Sequence, residues 1–301
     1  MKLKNPLKRI IVPGFEGLNL YEVSLFFYRG LTKGAITTRA SSLAFNFFLA
    51  FFPGIIVLFT LIPFVPIAGF QEQLFLLIME VLPPSTFEAT KSIVDDIINN
   101  ERGGLLSFTF ILALYFCTNG VDAMITAFNN TYHHNEARSW VQLKLLSFSL
   151  TGILAIFLVL TIAFQIASEG FLNYLVSEEY IGQFLAEIIF SSKGFILVIG
   201  LFLSISSIYY YAPADKSRWK FLSPGSILCT SLSVFTSIIF TYYVTNFAQY
   251  NELYGSIGTL LVILLWMYFN SIILLIGFEL NASILSAKES QSMKLSSKMK
   301  K

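Results

Sequence analysis

The chain has 301 residues, of which 55% are hydrophobic and 13% charged, and its mean hydropathy is +0.69. Soluble domains carry about 25% charged residues, so this composition excludes an ordinary water-soluble fold. The net charge of +2 is too small to indicate a nucleic-acid partner. Composition therefore predicts a polytopic membrane protein, and the long apolar runs described below make its expected fold class all-α.

The first 40 residues predict a basic cytoplasmic tail followed by an amphipathic helix. Between residues 18 and 35, the apolar side chains of Leu20, Val23 and Leu31 recur on one helical face. Such a helix lies in the membrane interface or packs against the protein's own cytoplasmic surface. The sequence leaves both alternatives open.

Six apolar runs are long enough to cross a bilayer, because about 20 helical residues span its hydrocarbon core. They define a six-helix transmembrane domain over residues 41–285. The predicted spans are 41–62, 105–128, 143–168, 194–211, 223–247 and 255–282. Residues 70–104 predict two short amphipathic helices on the extracytoplasmic side. Residues 286–301 are basic and rich in serine, which predicts a disordered cytoplasmic tail.

Basic residues are distributed unevenly between the two sides of this six-span arrangement. Of the 20 lysines and arginines, all but Lys91, Arg102 and Lys193 fall on the side of the N-terminus. The positive-inside rule therefore predicts that both termini are cytoplasmic. An odd number of spans would separate the termini and remove this asymmetry.

Four stretches of the chain match the signature motifs of one known family. The first two are Thr38-Arg39-Ala40-Ser41-Ser42-Leu43-Ala44-Phe45 with Phe52-Pro53, and Phe128-Asn129-Asn130-Thr131-Tyr132 with Arg138. The last two are Tyr210-Tyr211-Ala212-Pro213, and Tyr254-Gly255-Ser256-Ile257-Gly258 with Leu265-Trp266-Met267-Tyr268 and Gly277-Phe278-Glu279-Leu280-Asn281-Ala282. Together these stretches resemble the YihY/BrkB family of bacterial inner-membrane proteins over residues 34–282.

The resemblance implies a multi-pass protein of the bacterial inner membrane. It does not imply a particular chemical reaction. The family has carried a ribonuclease label, ribonuclease BN, which we interpret as a misassignment. A role in envelope transport is often supposed for it. The family commonly has alanine where this chain has Phe278, a departure that changes the packing beside Glu279.

Three charged residues fall at a similar depth near the cytoplasmic edge of the spans. Arg39 opens the first span, while Asp122 and Glu279 lie roughly 26 and 36 Å along the second and sixth, at 1.5 Å per residue. Unpaired charges in a bilayer are costly and commonly functional. We expect Arg39 to pair with Asp122, Glu279 or both, although each charge would also be satisfied by interfacial water.

A second candidate site is a polar stripe along the fifth span. Its members follow helical steps of four, three, four and four residues: Ser226, Thr230, Ser233, Ser237 and Thr241. Such a stripe either lines a substrate cavity or marks close helix packing. Pro53 is a helix-breaking residue within the first span, and Asn270 is a polar residue within the sixth. Both are further candidates for cavity lining.

No catalytic or metal-binding pattern accompanies these features. The only histidines, His133 and His134, are adjacent in a loop and have no cysteine or HxH partner. We therefore expect a non-enzymatic protein with no cofactor and no metal, in contact with membrane lipids. The favoured hypothesis is a transporter or flippase of a lipid-like or amphipathic envelope substrate. The alternative is a non-catalytic membrane scaffold that recruits envelope partners.

Overall fold

The computed structural model describes Val12 and residues 14–61, 103–129, 138–178, 193–214, 219–246 and 256–299. These residues form seven α-helices, which we number in chain order: α1 (Leu20–Lys33), α2 (Ile36–Leu61), α3 (Gly103–Asn129), α4 (Trp140–Ser177), α5 (Lys193–Tyr211), α6 (Pro224–Asn246) and α7 (Ser256–Met299). The extracytoplasmic helices predicted within residues 70–104 fall almost wholly outside the described residues. The histidine loop also lies outside them.

The predicted all-α polytopic fold class is confirmed, and α2 to α7 follow the six predicted spans. In the described part of the chain, five helices are long and apolar enough to cross a membrane by themselves. A sixth span is reached when residues 20–32 of α1 and 36–54 of α2, whose axes differ by 64°, are taken together. Hydropathy located these helices well because a bilayer requires long apolar segments with internally satisfied backbone groups.

The six long helices form a closed ring. Each of α2 to α6 packs against the next helix along the chain, and α7 returns to contact α2 as well as α6. Helix ends meet at one end of this ring, where Arg39 contacts Glu279, Asn129 contacts Ala212 and Gly225 contacts Asn281. We call this end the base. It comprises residues 36–44, 121–129, 138–151, 205–214, 219–233 and 271–287. The remainder of the helices forms the far half.

The core of the described residues is concentrated at the base. The main cluster of buried apolar side chains includes Leu43, Phe128, Tyr209 and Leu275, which come from α2, α3, α5 and α7. At its centre, α6 and α7 approach closely at Gly225 and Gly277. A Cβ atom on Gly277 would lie 2.7 Å from the Gly225 carbonyl oxygen and 2.5 Å from the Tyr209 hydroxyl. Glycine therefore lets the two backbones touch, as small residues do between membrane helices.

One face of α1 packs on the protein itself. Val23 and the preceding Phe15 and Leu18 are buried against Ile284 and Ala287 of α7. The opposite face, with Leu25, Tyr28, Arg29 and Thr32, is exposed. Of the two alternatives for the amphipathic segment, the structure thus shows packing on the protein for the apolar face. The exposed face remains open to the membrane interface.

The predicted disorder of residues 286–301 is wrong for most of that segment, because α7 continues as far as Met299. The composition suggested a solvated tail, but Ala287 is buried against the N-terminal segment. Lys288 also pairs with Glu16, which binds Lys220 at 2.9 Å as well. These hydrogen bonds, from Lys288 first and then Lys220, lower the pKa of the Glu16 carboxyl below its usual value. Tertiary contacts therefore carry the helix beyond its apolar span.

Candidate functional site

A buried ion pair joins the start of α2 to the middle of α7. Arg39 Nη1 donates to Glu279 Oε1 at 2.9 Å and to the Gly34 carbonyl oxygen at 2.8 Å. The Arg39 side chain is 10% exposed and that of Glu279 is 0% exposed. Both hydrogens of Nη1 are thereby used, and three segments of the chain, the α1–α2 corner, α2 and α7, meet at one guanidinium nitrogen.

The rest of this ion pair has no hydrogen-bond partner among the described residues. Arg39 Nε and Nη2, Glu279 Oε2 and the hydroxyl of Ser283, one helical turn further along α7, are all buried and unpaired. Buried polar groups are nearly always satisfied, and each one left unpaired costs about 1–3 kcal/mol. The arrangement therefore offers two adjacent N–H donors and at least one carboxylate acceptor that the fold does not use.

The corner between α1 and α2 lies directly against this ion pair. A Cβ atom on Gly34 would sit 3.1 Å from Arg39 Nη1 and 3.2 Å from Glu279 Oε1, so only glycine leaves the pair its space. The next residue, Ala35, has a φ of +46°, which is uncommon for a residue with a side chain. The 64° bend between the helices is thus made by Gly34, which contacts the ion pair, and by Ala35 beside it.

The predicted three-residue charge cluster requires a correction, because Asp122 does not join Arg39. It binds Lys144 Nζ at 2.7 Å and accepts a hydrogen bond from the Ser147 hydroxyl at 3.2 Å, linking α3 to α4. This second pair is partly exposed, at 25% for Asp122 and 32% for Lys144. Depth along a helix was estimated from the sequence, but the direction in which Asp122 faces was not, and it faces α4.

Aromatic side chains pack around Phe278, the residue before Glu279, an arrangement that the sequence analysis missed. The Phe278 ring is stacked between Phe128, at 4.4 Å between ring centroids, and Trp219, at 4.9 Å. Tyr209 meets Phe278 edge-on and donates from its hydroxyl to the Leu274 carbonyl oxygen at 2.6 Å. The only available signal was the motif Gly277-Phe278-Glu279, in which a bulky ring precedes the buried carboxylate.

Two of the family-like motifs meet at the exit of α5. Asn129 Nδ2 and Arg138 Nη2 both donate to the Ala212 carbonyl oxygen, at 3.0 and 2.6 Å. The Ala214 N–H returns a hydrogen bond to Asn129 Oδ1 at 3.2 Å. These bonds satisfy backbone groups that helix termini leave open, so the motif residues there close the base.

The predicted polar stripe on α6 changes character along its length. Ser226, Thr230 and Ser233 are buried at the base, whereas Ser237 is half-buried and Thr241 is exposed. Ser226 bonds to the Ser223 carbonyl oxygen and Thr230 to the Ser226 carbonyl oxygen, at 2.8 and 2.9 Å, so these hydroxyls are satisfied locally. Only the outer members reach a surface that is open.

Pro53 and Asn270 do not stand out as cavity-lining residues. Pro53 is buried within α2, which continues through it to Leu61. Asn270 is half-buried, and its amide donates to the Trp266 carbonyl oxygen of its own helix at 2.9 Å. A role for either residue in a cavity stays a prediction.

The face of α7 that is buried at the base becomes exposed in the far half. At helical steps of four, three, four and four residues, the exposed fractions fall from 41% at Leu260 and 36% at Leu264 to 6% at Met267 and 0% at Ser271 and Leu275. Residues at these steps share one face, so the burial of this face of α7 ends between Met267 and Leu264. A similar change occurs on α5, from Ile208 at 6% to Leu197 at 54%.

A ring of long apolar helices, packed at one end around a buried ion pair, defines a multi-pass all-α membrane protein. The chain belongs to the family described as Virulence factor BrkB, whose sequence profile matches residues 27–300. The resemblance drawn from the motifs is thereby confirmed. No solved structure matches the chain.

Related proteins carry two kinds of name. The chain is 30% identical over 262 residues to the putative ribonuclease-like protein YfkH of Bacillus subtilis, covering 84% of this chain and 91% of that protein. It is 22% identical over 275 residues to the UPF0761 membrane protein NTHI0384 of Haemophilus influenzae, covering 89% and 96%. A UPF0761 membrane protein of Chromohalobacter salexigens is 28% identical, with 81% of this chain matching 58% of that protein.

Proposed function

We propose that the protein moves a lipid-like, amphipathic envelope molecule across the inner membrane of a bacterium. The observation that carries this proposal is the α7 face, which is exposed at Leu260 and Leu264 and fully buried at Ser271 and Leu275. We infer that this exposed face borders an apolar opening between helices that leads toward the buried polar groups of the base, which suits a molecule with an acyl chain and a polar headgroup. Ligand sites in membrane transporters lie at such junctions between packed helices.

The proposed orientation places the base in the cytoplasm. Arg39, Arg138 and Lys220 lie at the base, Arg29 lies on α1, which packs against it, and Lys288 directly follows it on α7. Cytoplasmic ends of membrane proteins carry an excess of lysine and arginine. In this orientation the far half opens toward the outer leaflet, and both termini are cytoplasmic.

The test compares two leucines that differ in the face they occupy. Leu264 and Leu265 are 36% and 38% exposed, but they lie about 100° apart on α7, and only Leu264 continues the buried face. We expect Leu264→Trp to fill the opening and slow the movement of a fluorescent phospholipid between leaflets of proteoliposomes. Leu265→Trp adds the same bulk on another face and should leave the rate unchanged.

The readout is the fraction of fluorescent lipid that a membrane-impermeant reductant quenches over time. Empty liposomes and liposomes with an unrelated helical membrane protein give the background rate. Equal rates for Leu264→Trp, Leu265→Trp and the unaltered chain would exclude the opening as a lipid path. A rate no faster than background for the unaltered chain would contradict the transport proposal for phospholipids.

The alternative, a membrane scaffold, draws on the length of α7. Its 44 residues extend through the bundle, and Gln291, Ser292 and Met293 in its last turns are exposed. A basic helix that projects beyond the base suits the docking of another protein. Under this alternative, truncation after Ser290 would abolish the cellular phenotype of the gene without altering any lipid movement.

The proposed function is non-catalytic, although one relative is named ribonuclease-like. A metal-dependent nuclease needs several protein ligands around its metal. The part of the chain that the structure describes contains no group of three or more histidine, cysteine or acidic side chains arranged for a metal. Incubation of the purified protein with RNA and Mg²⁺, Mn²⁺ or Zn²⁺ checks this point, and we expect no cleavage above a denatured control.

A further inference from the structure

The N–H groups of Arg39 that have no partner lie along one edge of its guanidinium group. Nη1 is fully committed to Gly34 and Glu279, while Nε and Nη2 are buried and have no partner among the described residues. These two nitrogens point their N–H groups in parallel, the geometry that binds two oxygens of a phosphate or carboxylate at once. An exposed arginine often leaves this edge in water, but Arg39 is 10% exposed.

An unpaired acceptor lies beside these donors. Glu279 accepts from Arg39 through Oε1 only, and its other oxygen, Oε2, is buried without a donor among the described residues. The Ser283 hydroxyl, one turn further along the same face of α7, is also buried and unpaired. A ligand that satisfies the whole site must therefore present oxygen acceptors and a hydrogen-bond donor close together.

Charge narrows the class of ligand further. Arg39 and Glu279 neutralise each other, so a group with a net negative charge would gain from the arginine edge but be repelled by the carboxylate. A dipolar group with no net charge meets both, since its anionic oxygens face the guanidinium and its ammonium faces Glu279 Oε2. We propose that Arg39 and Glu279 bind the phosphoethanolamine headgroup of a membrane lipid.

The position of the site suits a lipid headgroup. Glu279 follows the apolar stretch of α7, and Arg39 precedes that of α2, so the pair lies where the spans end rather than at mid-bilayer. The exposed face of α1 carries Leu25, Tyr28 and Arg29 beside it. Aromatic and basic side chains of this kind are typical of the headgroup layer.

The α1–α2 corner is the route by which a lipid headgroup reaches Arg39 and Glu279. In this structure the site is closed, and Gly34 contributes both the carbonyl that holds Arg39 and the wall that lies against Glu279. Ala35, with its φ of +46°, forms the bend next to it. Rotation about Gly34 and Ala35 moves α1 off α7 and exposes the Arg39 edge to the lipid beside it. The inference rests on the proposed function, for which it names the substrate class.

The experiment measures which lipid the full-length protein retains in native mass spectrometry. The protein is reconstituted in nanodiscs that contain equal parts of phosphatidylethanolamine, phosphatidylcholine and phosphatidylglycerol, and is then released for analysis. Phosphatidylcholine keeps the phosphate but lacks N–H donors, and phosphatidylglycerol carries a net negative charge. We expect phosphatidylethanolamine to be enriched about tenfold over both, as the loss of one charged hydrogen bond implies.

Three variants connect the enrichment to the site. Arg39→Lys keeps the charge but removes the two-nitrogen edge and should abolish the enrichment, whereas Arg29→Lys on the exposed face of α1 should not change it. Ser283→Ala leaves the ion pair intact and should reduce the enrichment, which keeps the test informative if Arg39→Lys fails to fold. Equal retention of the three lipids by the unaltered chain, or undiminished enrichment in Arg39→Lys, overturns the proposal.

A second arm separates the lipid from a free headgroup. Water-soluble phosphoethanolamine is added in millimolar excess to the protein in nanodiscs without phosphatidylethanolamine. A bound mass of free phosphoethanolamine that Arg39→Lys loses would overturn the lipid as the source while keeping the chemistry. Failure of this proposal leaves the Leu264→Trp result untouched, since that experiment depends on the far half and not on the headgroup site.

Discussion

The base and the far half of the bundle are built from the same six helices but packed differently. At the base, Ser226, Ser271 and Glu279 have no exposure, and Arg39, Asn129 and Asn281 bond from one segment to another. In the far half, leucines on the continuing faces of α5 and α7 are open. Apolar surface gains nothing from burial when the solvent is lipid, so helices associate through small residues and polar contacts. Where these contacts stop, the faces of α5 and α7 become exposed, whereas Gly200 of α5 still lies against Thr161 of α4.

The largest loss of stability is expected when the buried carboxylate of the base is removed. Glu279→Ala leaves Arg39 buried without its carboxylate, and loss of one partner of a buried pair costs about 3–5 kcal/mol. The free energy of unfolding in detergent, measured by denaturant titration, should fall by that amount. Removal of both partners in Arg39→Leu/Glu279→Leu should cost less than Glu279→Ala alone.

Asp122→Ala provides the matched control for that experiment. Its partner Lys144 is 32% exposed and keeps access to water or headgroups, so the loss should be at most about 1 kcal/mol. If Asp122→Ala and Glu279→Ala prove equally destabilising, burial of the Arg39 pair is not what distinguishes the base.

A second prediction compares one added methyl group in each half. Gly277→Ala places Cβ 2.8 Å from the Cβ of Cys229, which forces the α6–α7 contact apart, and overpacking of this kind costs about 1–3 kcal/mol. Gly170→Ala on α4 meets nothing within 4 Å, so improved helix propensity should stabilise the protein by about 0.5–1 kcal/mol. The measurement is the same unfolding titration, and effects of equal sign would show that both halves are packed alike.

The smallest expected effect is at the rim of the base, where Glu16 binds Lys288 and Lys220. Because the folded pKa of Glu16 is lowered, its contribution to stability is present above the unfolded pKa and is lost as pH falls through the folded value. Both lysines are more than half exposed, so screening limits the contribution to about 1 kcal/mol or less.

The test for Glu16 follows the difference in unfolding free energy between Glu16→Gln and the unaltered chain. It should be largest at neutral pH and vanish in acid, once the Glu16 carboxyl of the unaltered chain is protonated. Glu178→Gln, at the other end of the bundle, serves as the comparison variant. A Glu16→Gln difference that stays constant with pH would show that the carboxylate charge is not responsible.

Features that depend on position along a helix, such as span limits and depth in the membrane, could be predicted from the sequence. The direction in which a side chain points around the helix axis, and hence its partner, could not. The spans follow from hydropathy alone, and the similar depth of Arg39 and Glu279 followed from a rise of 1.5 Å per residue. The partner of Asp122 did not follow, because Lys144 was assigned to the edge of a span and no rule fixed the rotation of α3 relative to α4. The Phe128–Phe278–Trp219 stack joins residues that are far apart in the chain, and no local sequence pattern predicts such a contact.

Composition also misled where tertiary contacts decide the outcome. Residues 286–299 look like a solvated tail, yet Ala287 and Lys288 bind the segment before α1 and keep the helix continuous. The polar stripe of α6 was open to two interpretations, and its burial changes along the helix, from Ser226, which is buried, to Thr241, which is exposed. Neither distinction is contained in the spacing of the residues, since burial depends on which helices arrive beside them.

The unbroken length of α7 connects two exposed regions of the molecule. Its 44 residues make a rod of about 66 Å, roughly twice the thickness of the hydrocarbon core. Glu279 lies close to the middle of this rod. The exposed turns around Met293 and the exposed Leu260 and Leu264 therefore belong to one continuous helix, on opposite sides of the contacts that hold it at the base.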